Sequence, residues 1–158
     1  MPSDLSSKDK DLMVRTILGE AAQEGPRGQA AVAHVILNRL ASGSYGKNAS
    51  QVVLAPNQFE PWSTRSKELL AIKPTDPAYR ETSDIVDMAK NGDIPDPTNG
   101  ATHFLNPNIV MQRRGVLPSW AAQPVAKIGN HTFFAPQGPV VGPAVDPMDA
   151  INKAISEN

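Results

Sequence analysis

The stretch TILGEAAQEGPRGQAAVAHVILNRLA, residues 16–41, decides how we expect this chain to fold. Its second part, from Arg27 to Ala41, places apolar side chains around nearly the whole circumference of a helix, which is typical of a helix buried on all sides. Gly25 and Pro26 interrupt the stretch, because glycine ends a helix readily and proline suits the first turn of the next one. We therefore expect two consecutive helices here, the second at the centre of the domain.

Three further helices are expected before residue 101. Each has a polar residue that can cap its first turn, and the last also has proline at its first position. The inner face of the last helix is expected to hold Ile85, Met88 and Ala89. The expected helices are residues 8–23 after a cap at Ser6 or Ser7, residues 50–55 capped by Ser50, and residues 77–91 after Asp76.

Beyond Ala101 the pattern changes to short runs rich in β-branched and aromatic residues, which are typical of strands. A Gly129–Asn130 pair separates the last two runs and predicts a two-residue hairpin. The fold class is therefore α+β, helix-rich, with a buried central helix and a small antiparallel β-sheet. The expected strands are residues 101–105, 124–128 and 131–134, followed by a Pro/Gly-rich strap over 136–147 and a short terminal helix over 148–156.

Length and composition bound the function. The 158 residues suit a single domain over 1–158, with a catalytic core at about 8–135. With 15 basic and 16 acidic side chains, the chain offers no electrostatic case for binding nucleic acid or an anionic membrane. The absence of cysteine excludes a disulfide, a thiol nucleophile and a cysteine-ligated metal, and no apolar run is long enough for membrane insertion. The polar start indicates synthesis in the cytoplasm without a signal peptide.

Glu20 and Glu24, four residues apart, are carboxylates with more than one reading. Glu20 borders the apolar side of its helix, so that partial burial would raise its pKa and keep it protonated, as a general acid for glycoside cleavage requires. Gly19 beside it would let a polymer approach closely. The alternatives are two solvated surface charges, or a metal-binding or acid pair. Spacing alone does not tell which of the two carboxylates is the acid.

Histidines and aromatic residues leave a further choice. His103 and His131, with an acidic residue, could form a zinc hydrolase site, although the chain has no HExxH pair and we expect no metal and no cofactor. PNQFEPW at 56–62 and THFLNP at 102–107 combine amides with flat apolar faces, a combination that suits sugar polymers. Both segments could equally be ordinary loops with buried aromatic rings.

These motifs together resemble the SleB/CwlJ-type cell wall hydrolases. The quoted stretch is similar to their G-E-A-x-x-E opening signature, and NQFEPW, GATHFLNP and KIGNHTFF are similar to three later motifs in the same order. The resemblance covers about Val14 to Phe134 and implies a lysozyme-like fold of the goose-type lysozyme and lytic transglycosylase kind. It implies peptidoglycan glycan strands as the partner and Glu20 as the catalytic acid. The residues implied in substrate binding are Glu24, Gln58, Phe59, His103, Phe104 and Asn106.

Two details of the resemblance bear on mechanism. His103 stands where an aromatic residue is more usual, and Glu24 is expected to orient the site or to hold the helix junction. Glu20 and Glu24 are expected to lie side by side on one helix, and in that case they do not straddle a bond as the paired carboxylates of two-carboxylate glycosidases do. The implied reaction is therefore lytic transglycosylation with a single acid. Lysozyme-type hydrolysis, a metal-dependent cell-wall amidase or peptidase, and a non-catalytic peptidoglycan-binding module are the alternatives.

The biological setting is expected by analogy. A compact wall-cutting chain without a leader is what a phage-type endolysin would be. We therefore expect a monomer that acts on the cell wall, in the periplasm or outside the cell, after release with the help of a holin.

Overall fold

The computed structural model describes residues 5–140 of the chain. Within this range a series of helices precedes a small antiparallel sheet, so the predicted α+β class is confirmed. The end of the predicted strap and the predicted helix over 148–156 lie outside the described residues. The elements are α1 Ser7–Ala21, α2 Gly25–Ser42, α3 Ala49–Leu54, α4 Glu60–Thr64, α5 Ser66–Ala71, α6 Pro77–Lys90, β1 His103–Leu105, α7 Pro107–Arg114, β2 Pro124–Ile128 and β3 His131–Phe134.

Helix α2 is the centre of the domain, as its apolar pattern predicts. It contacts α1, α3 and α6, and it also contacts β2 of the sheet. One cluster of buried side chains lies between α2 and the other helices, and a second lies between α2 and the sheet. Side chains buried on α2 include Ala30, Ala31, Val32, Ala33, His34, Val35, Ile36 and Arg39.

Helix α1 starts at a reciprocal cap. The Ser6 hydroxyl accepts a hydrogen bond from the backbone N–H of Asp9 at 3.0 Å, and the Asp9 carboxylate accepts one from the Ser6 N–H at 3.1 Å. Of the two predicted caps, Ser6 is therefore the correct one. The helix ends at Ala21, slightly earlier than predicted, and α2 begins at Gly25 with a positive φ of 77°. This tight junction keeps the last turn of α1 beside the first turn of α2.

The cap predicted for α3 is wrong. Asn48, rather than Ser50, precedes the helix in an extended conformation, and its side chain accepts from the Gln51 N–H at 2.8 Å. The Ser50 hydroxyl instead donates to the Asp9 carboxylate at 2.5 Å. A residue inside the first turn is thus used to join α3 to α1.

Helix α6 begins as predicted, but one residue of its predicted inner face is wrong. The Asp76 side chain accepts from the Ala78 N–H at 2.9 Å, and proline follows at the first helical position. Met88 is 38% exposed, whereas Val86 is fully buried. The inner stripe of α6 is formed by Thr82, Ile85, Val86 and Ala89.

Helices α4, α5 and α7 are not apparent in the sequence pattern. Each has between five and eight residues, which is too short for a helical period to show. Helix α4 begins within the segment PNQFEPW, and α7 begins directly after THFLN, which holds the predicted first strand. Ordinary loops were one reading of these two segments, and that reading did not include either helix.

Helix α4 packs closely on the last turns of α1. The indole N–H of Trp62 donates to the Thr16 hydroxyl at 2.8 Å. A Cβ at Gly19 would lie 2.8 Å from the Pro61 Cβ and 3.0 Å from a methyl carbon of Leu69, closer than such carbons normally approach. The glycine therefore makes room for α4 and α5, where the sequence suggested room for a polymer.

The sheet has the strand order β1–β3–β2, with both pairs antiparallel. The predicted hairpin is confirmed, because Ile128 pairs with His131 across a loop of Gly129 and Asn130. Gly129 has a φ of 58°, which a glycine at the first loop position adopts without strain. As the middle strand, β3 is buried along its whole length.

Candidate active site

A cleft of about 1210 Å³ lies at the end of α1. Its lining comes from segments far apart in sequence, namely the α1–α2 junction, α4, the β1–α7 segment and the β2–β3 hairpin. This volume exceeds that of usual small-ligand pockets and suits an extended substrate. The predicted site residues that line it are Glu20, Glu24, Gln58, Phe104 and Asn106.

Glu20 lies half-buried in the last turn of α1, on the wall of the cleft. Burial is the main cause that raises the pKa of its carboxyl from 4.5 to about 7. The Glu60 carboxylate adds to this rise, and the guanidinium groups of Arg65 and Arg39 oppose it. A carboxyl with this pKa exchanges protons near neutral pH, which is the property that a general acid or base needs.

Arg39 holds the side chain of Gln58 in one orientation. Arg39 is only 4% exposed; its Nε donates to the backbone oxygen of Thr102 at 2.6 Å, and its Nη1 donates to Gln58 Oε1 at 3.0 Å. A guanidinium can only donate, so the oxygen of the Gln58 amide must face Arg39 and the NH₂ group is left to face other partners. Gln58 thereby offers a fixed donor at the cleft wall.

Arg39 was not singled out from the sequence. Its guanidinium lies 4.9 Å from the ring centre of Tyr45 and 5.1 Å from that of Phe59. Burial is the main cause that lowers the pKa of Arg39. A basic residue in a helix that is otherwise apolar on nearly all sides was the signal that could have identified it.

Two predicted binding residues do not line the cleft. Phe59 is 2% exposed and belongs to the helical core, with its ring 6.4 Å from that of Phe104. The ring of His103 lies 4.8 Å from that of Trp120. Burial, aided by the charge of Arg39, lowers the pKa of the His103 imidazole. Both side chains therefore support residues of the wall instead of forming its surface.

Glu24 lies beyond the end of α1, so the expectation that it shares a helix with Glu20 is wrong; it joins the helix junction to the hairpin. It is the residue before α2, and its Oε2 accepts a long hydrogen bond of 3.4 Å from the Asn130 N–H. Asn106 has a comparable role on another wall, since its side-chain oxygen accepts from the N–H groups of Asn108 and Ile109 and so caps α7. Each of these cleft residues already fixes a backbone segment.

Charged residues from α4 and α7 meet at the cleft. Arg113 Nη1 lies 3.1 Å from Glu60 Oε1, in an exposed pair that contributes little to stability. Arg65 donates to the backbone oxygen of Gly19 at 2.7 Å and so ties the end of α4 to the residue before Glu20. None of these three charged residues was predicted as part of the site, because only the fold brings them to it.

The predicted zinc alternative lacks an assembled ligand set. Within residues 5–140, no group of three or more histidine, cysteine, aspartate or glutamate side chains is placed to hold a metal ion. His34 is buried, with its Nε2 2.8 Å from the backbone oxygen of Ile94. In the same range, no helix is both long and apolar enough to cross a membrane.

The features above define a class of protein. A half-buried acid with a raised pKa, at a helix end on the wall of an extended cleft, is the arrangement of lysozyme-like enzymes. The chain belongs to the cell wall hydrolase family, since the family described as "Cell Wall Hydrolase" matches residues 23–134. Glu24 lies inside this match, and Glu20 lies three residues before it.

Two solved structures resemble this one over 85% of the chain. The catalytic domain of the Bacillus cereus SleB protein has a TM-score of 0.67 and 30% identity, with 95% of that chain covered. The catalytic domain of the germination-specific lytic transglycosylase SleB from Bacillus anthracis has a TM-score of 0.66 and 29% identity, with 100% covered. The expected lysozyme-like fold and the resemblance to SleB-type hydrolases are thereby confirmed.

Curated relatives are longer than this chain. The spore cortex-lytic enzyme of Halalkalibacterium halodurans is 35% identical over 133 residues, and that of Bacillus cereus is 31% identical over 133 residues. These matches cover 84% of this chain but 36% and 46% of the two relatives. The chain thus spans less than half the length of these relatives.

Proposed function

We propose that this protein cleaves the glycan strand of peptidoglycan between N-acetylmuramic acid and N-acetylglucosamine, as a lytic transglycosylase with Glu20 as its single acid. The observation that carries the proposal is the half-buried carboxyl of Glu20, with a pKa near 7, on the wall of a large cleft. Membership of the cell wall hydrolase family supports the substrate class.

The reaction needs one group that first gives and then takes a proton. Protonated Glu20 donates to the bridging oxygen as the bond from that oxygen to muramic C1 breaks, which releases the 4-hydroxyl of N-acetylglucosamine. The Glu20 carboxylate then accepts the proton of the muramic 6-hydroxyl while that oxygen bonds to C1. The product is a 1,6-anhydro ring, and Glu20 ends protonated, ready for another cycle.

The other carboxylates of the cleft already have partners. Glu24 accepts from the hairpin at Asn130, and Glu60 pairs with Arg113. Two-carboxylate glycosidases need a second carboxylate directed at the sugar, as nucleophile or as base. The substrate's own hydroxyl supplies the nucleophile in transglycosylation, so a single acid suffices.

We assign binding roles to the remaining predicted residues by position. Gln58, Phe104, Asn106 and Glu24 line the cleft and would contact the strand directly. The Gln58 NH₂ group suits an acetamido carbonyl or a hydroxyl oxygen, and the Phe104 ring suits the apolar face of a sugar. Phe59 and His103 would act indirectly, through Arg39, Phe104 and Trp120.

Purified sacculi test the proposal. Glu20→Gln should reduce solubilisation by at least about 100-fold, because general acid catalysis contributes that much or more. Glu81→Gln, on the exposed side of α6, is the matched control and should leave the rate unchanged. Mass spectrometry of the fragments should find anhydro-muramic ends.

Other results would replace the proposal. Retained activity in Glu20→Gln would remove Glu20 as the acid, and ordinary reducing ends would indicate lysozyme-type hydrolysis. Released peptides and inhibition by a chelator would indicate a metal-dependent amidase or peptidase, whereas binding without any released fragment would indicate a binding module.

A further inference from the structure

His131 has a buried ring nitrogen that the fold does not satisfy. It is the first residue of β3, directly after the hairpin loop, and it lines the cleft while only 7% exposed. Among residues 5–140, its Nδ1 is the buried side-chain nitrogen or oxygen that has no hydrogen-bond partner. Buried polar atoms are nearly always paired, so this exception calls for a reason.

The surroundings of His131 explain why Nδ1 is unpaired. The Phe104 ring on β1 packs edge-on at 5.0 Å between centroids, and the Phe133 ring on β3 lies at 6.3 Å. Glu24, from the α1–α2 junction, is the charged group near enough to influence the imidazole. Two aromatic rings therefore pack against the imidazole, and these rings have no oxygen or nitrogen that could pair with Nδ1.

This environment selects one tautomer. Burial lowers the pKa of His131, with the Glu24 carboxylate opposing the change, so the ring is neutral at neutral pH. A neutral imidazole carries its proton on one nitrogen only. A proton on Nδ1 would be a buried donor without an acceptor, whereas Nε2 is not among the buried unpaired atoms, so a proton on Nε2 can be donated to water or to a ligand in the cleft. The Nε2–H tautomer is thus favoured, with its donor at the edge of the ring away from the buried nitrogen.

We infer that His131 is a substrate-binding residue whose Nε2–H donates to the acetamido carbonyl of a sugar in the cleft. An amide carbonyl is a strong neutral acceptor, and a neutral donor in an aromatic surround matches it without burying a net charge. The Asn130 N–H donates a hydrogen bond to the Glu24 carboxylate. This bond links the hairpin, and with it the His131 backbone, to the α1–α2 junction that follows Glu20. This inference rests on the proposed glycan substrate, and it adds a residue to which no role in that reaction was given.

The first test needs no variant. Nitrogen-15 NMR of the imidazole in the unmodified chain without ligand distinguishes a protonated from an unprotonated Nε2. The inference predicts the Nε2–H form at neutral pH and a shift of this nitrogen when purified glycan strands are added. A proton on Nδ1, or no response to the strands, would overturn it.

A pair of isosteric variants tests the contact itself. Glutamine can place an N–H near the position of histidine Nε2, whereas asparagine reaches only the position of Nδ1. In a Glu20→Gln background, which prevents turnover, His131→Asn should weaken binding of N-acetylated strands by about tenfold, the effect of one lost hydrogen bond. His131→Gln should stay within about threefold of the parent protein, because it keeps the donor.

Substrate chemistry completes the experiment. On strands that have been chemically de-N-acetylated, the three proteins should bind equally, since the acceptor is gone. An equal loss on both kinds of strand, or equal losses in His131→Asn and His131→Gln, would overturn the inference.

The two proposals fail in different ways. Retained turnover in Glu20→Gln would end the proposed mechanism while the NMR result for His131 still stands. An inactive Glu20→Gln protein whose His131→Asn derivative binds normally would end only the role of His131. Melting curves identify a variant that is merely unfolded, and in that case the NMR measurement on the unmodified protein decides.

Discussion

Replacing Glu20 by glutamine should stabilise the protein at alkaline pH while it abolishes activity. The carboxyl is half-buried, and its pKa rises from 4.5 to about 7 chiefly because burial disfavours the charged form. Glutamine has the same shape and no charge to desolvate. The variant therefore keeps the packing of the site without the cost of an ionised group within it.

The size and the sign of the effect follow from proton linkage. The unfolded chain loses the Glu20 proton near pH 4.5, and the folded protein loses it near pH 7. Between these values the folded state holds the extra proton, so the free energy of unfolding falls as pH rises. A shift of this size corresponds to a loss of about 3 kcal/mol in the free energy of unfolding above pH 7. The glutamine variant has no proton to lose and should not show this loss.

Urea unfolding followed by circular dichroism measures this difference. Wild type and Glu20→Gln should have similar free energies of unfolding near pH 4.5, and should diverge up to about 3 kcal/mol near pH 8, with the variant more stable. Glu81→Gln, an exposed glutamate on α6, controls for the loss of one negative charge and should show no such divergence. A constant difference between wild type and Glu20→Gln at both pH values would refute the reasoning, because it would mean that the carboxyl is not destabilised by burial.

Three further predictions concern residues of α1 and of α4, which packs on it. Gly19→Ala would place a Cβ 2.8 Å from the Pro61 Cβ, so the free energy of unfolding in urea should fall by about 1–3 kcal/mol and activity should fall with it. Glu60→Gln removes a carboxylate that raises the pKa of Glu20. The alkaline limb of the pH profile of kcat/KM should therefore move to lower pH, with less than about a tenfold loss near pH 8. Asp9→Ala removes the hydrogen bond that the Asp9 carboxylate accepts from the Ser6 N–H in the reciprocal cap, and the two that it accepts from Ser50 of α3, which should cost about 2–3 kcal/mol in urea unfolding at neutral pH. Burial raises the pKa of Asp9 but its hydrogen bonds lower it more, so this cost should shrink as the pH falls below 3.8.

Each of these has an outcome that contradicts it. Equal urea midpoints for Gly19→Ala and wild type would mean that α4 is not in close contact with α1 at this glycine. An unchanged pH profile in Glu60→Gln would remove Glu60 from the electrostatics of the acid. If the loss in free energy of unfolding caused by Asp9→Ala stays constant down to low pH, the loss comes from packing. The ionised carboxylate would then contribute nothing to stability.

Local features of the sequence determined the helical frame and the position of the candidate acid within it. The caps before α1 and α6, the glycine and proline between α1 and α2, and the apolar surround of α2 each act within a few residues. The Gly129–Asn130 hairpin follows in the same way. The border position of Glu20 on an amphipathic helix, where a raised pKa was expected, is also local, because it follows from helical geometry alone.

Tertiary structure alone decided what surrounds that acid. Arg39 on α2 and the pair Gln58 and Glu60 in the segment 56–62 reach Glu20 or each other, and no periodic pattern encodes such meetings. The short helix α4 packs on α1, where Trp62 donates to Thr16, and it has too few turns to be apparent from spacing. Phe59 was placed at the cleft by its motif but lies in the core, since a motif gives neighbours along the chain and not the direction of a side chain. The unpaired nitrogen of His131 likewise exists only because folding places rings of β1 and β3 around it, since burial is a property of the assembled domain and not of any single stretch.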